Sequence, residues 1–165
     1  MRVVVMGPSG CGKSTVGRAL ADALGARFVD GDDLHPSANV EKMAAGVPLT
    51  DEDRMPWLAT VGAELGSDAR IVIACSALHR VYRDAIRESE PGVFFAELTA
   101  SRDELVRRMG ERGAHFMPAS LLDSQLATLE SLQPDESGVR IGGLAPADAV
   151  AASIAGELTR TQSLR

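Results

Sequence analysis

Aromatic side chains and cysteines are scarce in this sequence of 165 residues, and both shortages exclude classes of protein. Aromatic residues make up 4% of the chain, too few for a basic aromatic surface that stacks nucleic-acid bases. The two cysteines, Cys11 and Cys75, are far apart and lack the spacing of metal ligands. This usage indicates a reduced protein and not a secreted scaffold held together by disulfides.

Long apolar runs are also missing. No segment approaches the roughly 20 apolar residues that span a bilayer. The chain opens directly into Arg2-Val3-Val4-Val5, without the apolar core of a signal peptide. We therefore expect no membrane partner and a cytoplasmic location.

Lysine is the third shortage. The chain has 17 basic and 23 acidic residues and a net charge of −6, which argues against nucleic acid as a partner. An anionic substrate must then be held by local cations. Of the basic residues 15 are arginine, and the two lysines are Lys13 and Lys42. Because lysine is a compact point charge and arginine a planar fork, each lysine is a candidate for a task that a guanidinium performs badly.

The length and the hydrophobic content of 45% suit one domain that spans residues 1–165. Short apolar runs alternate with helix-period patterns, and we expect β-strands at 3–5, 27–29, 71–74, 93–96 and 139–141. This alternation predicts an α/β fold, a five-stranded parallel sheet with helices on both faces. In such a fold, ligands bind outside the carboxyl ends of the strands.

The segment between the first strand and the first helix matches the phosphate-loop pattern G-x-x-x-x-G-K-[ST] at every fixed position. Its glycines let backbone N–H groups turn toward phosphate oxygens, the helix N-terminus adds partial positive charge, and the Ser14 hydroxyl can bind Mg²⁺. Cys11 is either a small residue that the loop tolerates or a thiol whose pKa is lowered by Lys13 and the helix N-terminus. The predicted residues of the triphosphate site are Gly7, Pro8, Ser9, Gly10, Cys11, Gly12, Lys13, Ser14 and Thr15.

The marks of a motor ATPase or a GTP switch are absent. The third strand ends without the acidic residue of a Walker B motif, and no Asn-Lys-x-Asp motif selects guanine. Acidic residues instead follow the second strand, as Asp30 and Asp32. One carboxylate of such a pair can hold Mg²⁺ through water while the other orients or deprotonates an attacking hydroxyl. We predict a kinase that uses ATP and Mg²⁺, with Ser14 and Asp30 at the metal and Asp32 at the acceptor; an acidic surface turn is the alternative, which suits Asp33.

Several motifs along the chain together form the pattern of one enzyme family. They are Gly7-x-x-x-x-Gly12-Lys13-Ser14, Asp30-Gly31-Asp32-x-Leu34-His35-Pro36, Asn39-x-x-Lys42-Met43, Pro48-Leu49-x-Asp51-x-Asp53-Arg54-x-Pro56-Trp57-Leu58, Cys75-Ser76-Ala77-Leu78, Tyr82-Arg83-Asp84 and Gly113-x-His115-Phe116-Met117. With them the chain resembles the thermoresistant-type gluconokinases from about residue 3 to 132. One departure is His79, which stands where the family pattern has lysine.

The resemblance implies ATP-dependent phosphorylation of D-gluconate at its 6-hydroxyl. It also implies the three-layer phosphate-loop kinase fold of the nucleoside-monophosphate and shikimate kinases, with strand order 2-3-1-4-5, and a homodimer. Gluconate is a polyol chain that ends in a carboxylate, so its site needs hydrogen-bonding side chains and at least one cation. We expect this site in the helical segment of about residues 34–66, and the predicted substrate-binding residues are Asp32, His35, Lys42, Arg54, Ser76 and Arg83.

Several of these residues have a second interpretation. Arg54 either pairs with the substrate carboxylate, which its planar fork matches, or forms a salt bridge with an aspartate of its own helix. Arg83 either reaches the site or is held by acidic residues close to it in the sequence. His35 contacts substrate or serves as a capping or core histidine, and Lys42 makes a polar contact or is solvated. We expect Trp57 in the core.

A mobile lid is predicted at about residues 107–120, where glycines and arginines lie between two helical patterns. Arg108 and Arg112 are one helical turn apart, and arginines over the transferring phosphate would offset the charge on its oxygens. The predicted catalytic residues are Lys13, Asp32, Arg108 and Arg112. The alternative for the arginines is a solvated basic face that pairs with neighbouring acidic residues.

Two other functions are open at the level of sequence. A kinase for shikimate or for another sugar acid could use the same acidic residues. A non-catalytic, nucleotide-dependent switch would keep the phosphate loop but lack acceptor chemistry, and the pair of Asp30 and Asp32 argues against it. No motif marks the adenine contacts, for which the loop at 139–146 is the candidate.

Overall fold

The computed structural model describes residues 1–111 and 119–164, which form one sheet and the helices around it. The strands are β1 (Arg2–Met6), β2 (Arg27–Asp30), β3 (Ile71–Ala74), β4 (Phe94–Thr99) and β5 (Gly138–Gly142). The helices are α1 (Lys13–Leu24), α2 (Ser37–Ala44), α3 (Asp51–Gly66), α4 (Arg80–Ser89), α5 (Arg102–Glu111), α6 (Ala119–Thr128) and α7 (Ala147–Ser163), and a 3₁₀ turn covers Gly31–Leu34.

Neighbouring strands are parallel and follow the order β2-β3-β1-β4-β5, which confirms the predicted fold and strand order. The central strand is β1, where Val3 lies opposite Val72 of β3 and Phe94 of β4. Its valines are fully buried because helices cover both faces of the sheet. β4 continues to Thr99, beyond the predicted end at residue 96.

Two apolar cores flank the sheet. On one face, α1, α5 and α7 bury Leu20, Leu105 and Ile154 against it. On the other face, α3 and α4 bury Leu58 and Ile86. The result is the predicted three-layer arrangement. None of the helices formed by residues 1–111 and 119–164 is both long and apolar enough to cross a membrane.

Helix α3, which carries several predicted site residues, begins with a reciprocal N-terminal cap. The Thr50 hydroxyl accepts a hydrogen bond from the Asp53 N–H at 3.2 Å, and the Asp53 carboxylate accepts one from the Thr50 N–H at 2.9 Å. The cap satisfies N–H groups that the first helical turn leaves free. The helix then continues through Pro56 to Gly66.

Half of the predicted lid lies outside the described residues. Helix α5 ends at Glu111 and α6 begins at Ala119, so residues 112–118, with Arg112 among them, are not described. The roles expected for Arg112 and for the lid therefore stay predictions.

A buried ion pair joins α4 to the segment that precedes β5. The side chains of Arg83 and Glu136 are fully buried, and Arg83 Nε and Nη2 donate to the two carboxylate oxygens at 2.7 and 2.8 Å. Arg83 Nη1 donates to the carbonyl oxygens of Ala77 at 3.1 Å and Glu130 at 2.9 Å. The predicted substrate contact of Arg83 is thereby corrected, because these structural bonds occupy its guanidinium inside the core.

The same ion pair makes the stability of the fold depend on pH. Burial by itself raises the pKa of Glu136, but hydrogen bonds from Arg83, from the Gln133 N–H and from Arg87 outweigh burial and lower this pKa to about 2. The folded pKa thus lies below the ordinary value of 4.5. The contribution of Glu136 to stability is therefore fully present above that value and is lost as the pH falls toward 2.

We expect Glu136→Gln to lower the free energy of unfolding by about 3 kcal/mol, because it leaves the buried charge of Arg83 without its partner. Urea unfolding at neutral pH measures the change. The control is Glu157→Gln, which breaks an exposed ion pair with Arg160 on α7 and should cost less than about 1 kcal/mol. The difference in the free energy of unfolding between Glu136→Gln and the unmodified protein should become smaller as the pH falls from 4.5 to 2. Equal losses of this free energy in Glu136→Gln and Glu157→Gln would contradict the prediction.

Candidate active site

A cleft of about 940 Å³ opens at the carboxyl ends of β1, β2 and β3. This is the edge at which parallel α/β sheets bind their ligands. Its walls come from the phosphate loop, the turn after β2, the segment between α2 and α3, and α6. Of the predicted site residues, the cleft brings together Ser9, Gly10, Gly12, Lys13, Ser14, Thr15, Asp30, Asp32, His35, Arg54 and Ser76.

The phosphate loop has a backbone conformation that glycine adopts most easily. Gly7, Gly10 and Gly12 have φ angles of 144°, 83° and 94°, where a β-carbon is disfavoured. Helix α1 begins directly after the loop at Lys13, whose Nζ donates to the Pro8 carbonyl at 3.1 Å. The loop therefore brings backbone N–H groups, a helix N-terminus and an ammonium group to one end of the cleft.

Cys11 is a fully buried residue of this loop. Burial raises the pKa of its thiol above the ordinary value of 9.0, although Lys13 acts in the opposite direction. A Cβ placed on Gly7 would lie 2.8 Å from Cys11 Sγ, so the thiol packs closely under the loop. Of the two interpretations of Cys11, the structure supports the small packing residue.

The acidic turn after β2 faces the phosphate loop. Ser14 Oγ donates to Asp30 Oδ2 at 3.0 Å, and Asp30 Oδ1 accepts from the Asp32 N–H at 3.1 Å. The hydroxyl and carboxylate oxygens of Ser14 and Asp30 are the hard ligands that Mg²⁺ prefers, and this ion takes its other ligands from water and phosphate. Among the described residues, no cluster of three or more His, Cys, Asp or Glu could hold a metal ion.

Close packing holds the acidic turn against β3. A Cβ on Gly31 would lie only 2.5 Å from the carbonyl oxygen of Ala74. Trp57 Nε1 donates to the carbonyl of Gly31 at 2.8 Å. Trp57 is almost fully buried, as predicted, and it also fixes the position of the turn.

The carboxyl group of Asp32 is suited to accept a proton. Enclosure by the cleft raises its pKa above the ordinary value of 3.8, and the neighbouring Asp30 carboxylate raises it further, while Lys13 lowers it. A raised pKa makes a carboxylate a stronger base.

Hydrogen bonds fix the tautomer of His35. Asn39 Nδ2 donates to the Asp53 carbonyl at 2.9 Å, which orients the amide, and lies 3.2 Å from His35 Nδ1. Nδ1 is therefore the acceptor, and Nε2 carries the proton of the neutral ring. The ring stacks on Trp57 with centroids 4.0 Å apart, and burial lowers its pKa below 6.5. His35 thus supplies a neutral N–H donor at the cleft.

Arg54 lies on the cleft wall and also contacts its own helix. Its Nη1 donates to the Leu49 carbonyl at 2.7 Å and lies 3.9 Å from the Asp51 carboxylate. The Tyr82 hydroxyl donates to Asp51 at 2.6 Å and shares this carboxylate. Both interpretations of Arg54 therefore have support, because the salt bridge to Asp51 is long and the guanidinium lines the cleft.

Lys42 is engaged outside the cleft. Its Nζ lies 2.8 Å from both carboxylate oxygens of Asp53, the residue that caps α3. The hydrogen bond from Lys42, followed by that from the Thr50 N–H, lowers the pKa of Asp53 to about 2. Lys42 thus forms an ion pair between α2 and α3 and is not among the described residues that line the cleft, and its substrate contact stays a prediction.

Arg108 lies behind the phosphate loop. Its guanidinium donates to the carbonyl oxygen of Gly143 at 2.8 Å and to Glu104 at 3.1 Å, so the expected pairing with a neighbouring acidic residue is present. It borders a second recess of about 270 Å³ rather than the cleft that contains Asp32. The other residues around this recess are Gly12, Thr15, Val16, Glu111, Gly143, Ala145 and Ala147.

Ser76 and His79 both lie in the segment between β3 and α4, but they have different surroundings. Ser76 lines the cleft, and its carbonyl accepts the N–H of Gly7 at 3.3 Å. His79 is the N-cap residue of α4, with Nδ1 3.4 Å from Glu130. Within the described part of the chain, His79 contacts Glu130 and is not among the residues that line the cleft.

Gln125 on α6 is a cleft residue that the sequence patterns did not single out. The Ser9 N–H donates to Gln125 Oε1 at 2.9 Å, and Gln125 Nε2 donates to Ser9 Oγ at 3.2 Å. A signal was present, because this polar residue falls within the helix-period stripe formed by Leu121, Leu122, Leu126 and Leu129.

Comparison with known proteins agrees with this geometry. The family model described as shikimate kinase matches residues 9–133. The gluconokinase of Gluconobacter oxydans is 50% identical over 145 residues, which cover 86% of this chain and 82% of the relative. The thermosensitive gluconokinase of Escherichia coli is 43% identical over 140 residues, which cover 82% of this chain and 75% of the relative.

A solved structure extends the match to the whole fold. A gluconokinase from Sinorhizobium meliloti superposes with a TM-score of 0.89 at 46% identity, over 99% of this chain and 94% of that one. The chain therefore belongs to the gluconokinase family and carries the sequence pattern of the shikimate kinase family.

Proposed function

We propose that this chain transfers the γ-phosphoryl group of ATP to the 6-hydroxyl of D-gluconate and releases 6-phospho-D-gluconate and ADP. The observation that carries the proposal is a shared cleft, in which Ser14 of the phosphate loop holds the turn of Asp32 through Asp30. Donor and acceptor chemistry thus face each other. Relatives named gluconokinase match most of the chain, which favours gluconate as the acceptor.

The donor half follows from the two recesses on either side of the phosphate loop. The phosphates of ATP occupy the loop from Gly7 to Thr15, and the adenine lies in the recess beside residues 143–147. This recess includes part of the loop at 139–146, which is the sequence-based candidate for the adenine contacts. Arg108 borders it, and a planar guanidinium can stack on an aromatic base. The terminal phosphate then points toward the cleft that contains Asp32.

Mg²⁺ fits the oxygens at the junction of the two halves. Ser14 Oγ would ligate it directly and Asp30 through water, and bound there it would offset charge on the phosphate oxygens. Lys13 contributes a further positive charge at the transferring group, and we assign the same role to Arg112 of the lid.

The acceptor half consists of the acidic turn and the helices behind it. Asp32 orients the 6-hydroxyl of gluconate and takes its proton as the oxygen forms a bond to the γ-phosphorus and the bond to the ADP oxygen breaks. His35 donates from Nε2 to a substrate hydroxyl, and Ser76 supplies a further hydroxyl. Arg54 pairs with the carboxylate at the far end of gluconate.

Three wider features belong to the same proposal. The chain acts as one domain, residues 1–165, with a substrate-binding segment at about 34–66 and a mobile lid at about 107–120. It forms a homodimer, as the family resemblance implies. It acts in the cytoplasm, which the scarcity of cysteine and of long apolar runs supports.

A panel of acceptors tests the activity. ADP release is measured with gluconate, shikimate, glycerate and a nucleoside monophosphate, each at millimolar concentration. We expect gluconate to have a kcat/KM at least about tenfold above the others, because a site built for its polar groups rejects acceptors that leave those groups unpaired. A higher value for shikimate or another sugar acid would move the proposal to that acceptor. ATP binding without turnover of any acceptor would support a nucleotide-dependent binding protein.

Asp32→Asn should lower kcat by about a thousandfold, because the amide keeps the shape of the side chain but accepts no proton. ATP affinity, measured by calorimetry, should change by less than about threefold, since nucleotide binding does not need the base. Asp33→Asn is the matched control and should keep the kcat of the unmodified protein. Equal losses of kcat and of ATP affinity in Asp32→Asn would refute the role of Asp32.

His35→Ala should raise the KM for gluconate by about tenfold, the equivalent of one lost neutral hydrogen bond. His35→Gln should recover part of the loss, because its amide nitrogen can reach the position of Nε2 and donate. Steady-state kinetics with gluconate at saturating ATP measures both variants. Identical KM values for the two variants would show that His35 does not act as a donor.

A further inference from the structure

Gln125 makes two hydrogen bonds with a single residue of the phosphate loop. Its Oε1 accepts from the Ser9 N–H at 2.9 Å, and its Nε2 donates to Ser9 Oγ at 3.2 Å. A backbone N–H can only donate, so the oxygen of the amide must face it, and this fixes the amide orientation. The nitrogen is then the atom that faces the Ser9 hydroxyl, and Ser9 Oγ is an acceptor in this bond.

The direction of that bond leaves the hydroxyl hydrogen of Ser9 for another partner. Among residues 1–111 and 119–164, no acceptor receives it. Ser9 and Gln125 both line the cleft that contains Lys13 and Asp32. A hydroxyl that accepts from an amide is also polarised into a better donor. The geometry therefore provides a neutral donor at the edge of the phosphate site.

We propose that Gln125 is a positioning residue, which makes the Ser9 hydroxyl a hydrogen-bond donor to the terminal phosphoryl group of bound ATP. The inference rests on the proposed ATP site and adds to it the way in which one of its donors is directed. During transfer, charge spreads over the equatorial oxygens of this group, and fixed donors aimed at those oxygens stabilise it. Without the amide, the Ser9 hydroxyl would turn freely between donor and acceptor orientations.

Gln125→Glu separates this role from simple packing. Glutamate has the same length and still accepts from the Ser9 N–H. It offers a second acceptor to Ser9 Oγ, so the hydroxyl must donate to it and turns away from the nucleotide. The readout is calorimetric affinity for AMP-PNP, which has a terminal phosphoryl group, and for ADP, which has none, both in the presence of Mg²⁺.

We expect Gln125→Glu and Ser9→Ala each to lower affinity for AMP-PNP about tenfold more than affinity for ADP. When Gln125→Glu is added to Ser9→Ala, the further selective loss should stay below about threefold, because the hydroxyl through which Gln125 acts is already gone. The added negative charge is present in both backgrounds and cancels in this cycle. Ser124→Glu places the same charge on the exposed neighbouring residue of α6 and should change the ratio of the two affinities by less than about twofold.

Two outcomes would overturn the inference. One is that Gln125→Glu causes the same selective loss of AMP-PNP affinity in the unmodified protein and in Ser9→Ala. The other is that Gln125→Glu lowers the affinities for ADP and AMP-PNP equally. If Gln125→Glu does not fold, Gln125→Met, which keeps the length and removes the amide donor, enters the same cycle with the same expectation. The readout uses no acceptor substrate, so a protein that fails to phosphorylate gluconate but shows the coupling would refute the proposed function and leave the role of Gln125 standing.

Discussion

The packing of the acidic turn against β3 is the constraint on which the site depends. Gly31 lies so close to the Ala74 carbonyl that a β-carbon would stand 2.5 Å from its oxygen, and the indole of Trp57 donates a hydrogen bond to the Gly31 carbonyl. Because β3 lies between β2 and β1, this close approach brings Asp30 within hydrogen-bond distance of Ser14. In this arrangement, Asp32 and the phosphate loop line the same cleft.

Few basic side chains are available to the cleft. The protein carries a net charge of −6. Of its cations, Arg83 forms a buried ion pair with Glu136, and Lys42 forms an ion pair with Asp53. The basic residues that line the cleft within the described part of the chain are Lys13, Arg18 and Arg54. These few charges are the ones that the described part of the cleft offers to an anionic ligand, and the net charge of −6 disfavours unselective binding of polyanions.

Much of the fold could be predicted because its signals are local. The buried strands are continuous apolar runs, and the phosphate loop is a contiguous pattern set between a strand and a helix. The strand order was available only through resemblance to a family, since it depends on which crossover connections form. The wrong prediction for Arg83 has a physical cause. Its partner Glu136 is 53 residues away in the sequence, and only folding brings the two side chains close.

The cleft also contains side-chain hydrogen bonds that no sequence pattern indicates. Asn39 orients the ring of His35, and Gln125 orients the hydroxyl of Ser9, each through contacts between different elements. The helix-period stripe around Gln125 marks an unusual position but not its partner, which lies 116 residues away. Side-chain direction depends on the packing of whole elements and so is not contained in local spacing.

By itself, the sequence determined that the protein has an α/β fold with a phosphate loop and an acidic pair one strand away, because these features arise from contiguous residues. Tertiary structure alone decided which charged side chains face the cleft and which form ion pairs inside the protein. The physical reason is that a buried charge must find a partner, and the partner is whichever opposite charge the fold brings near. For Arg83 that partner was Glu136.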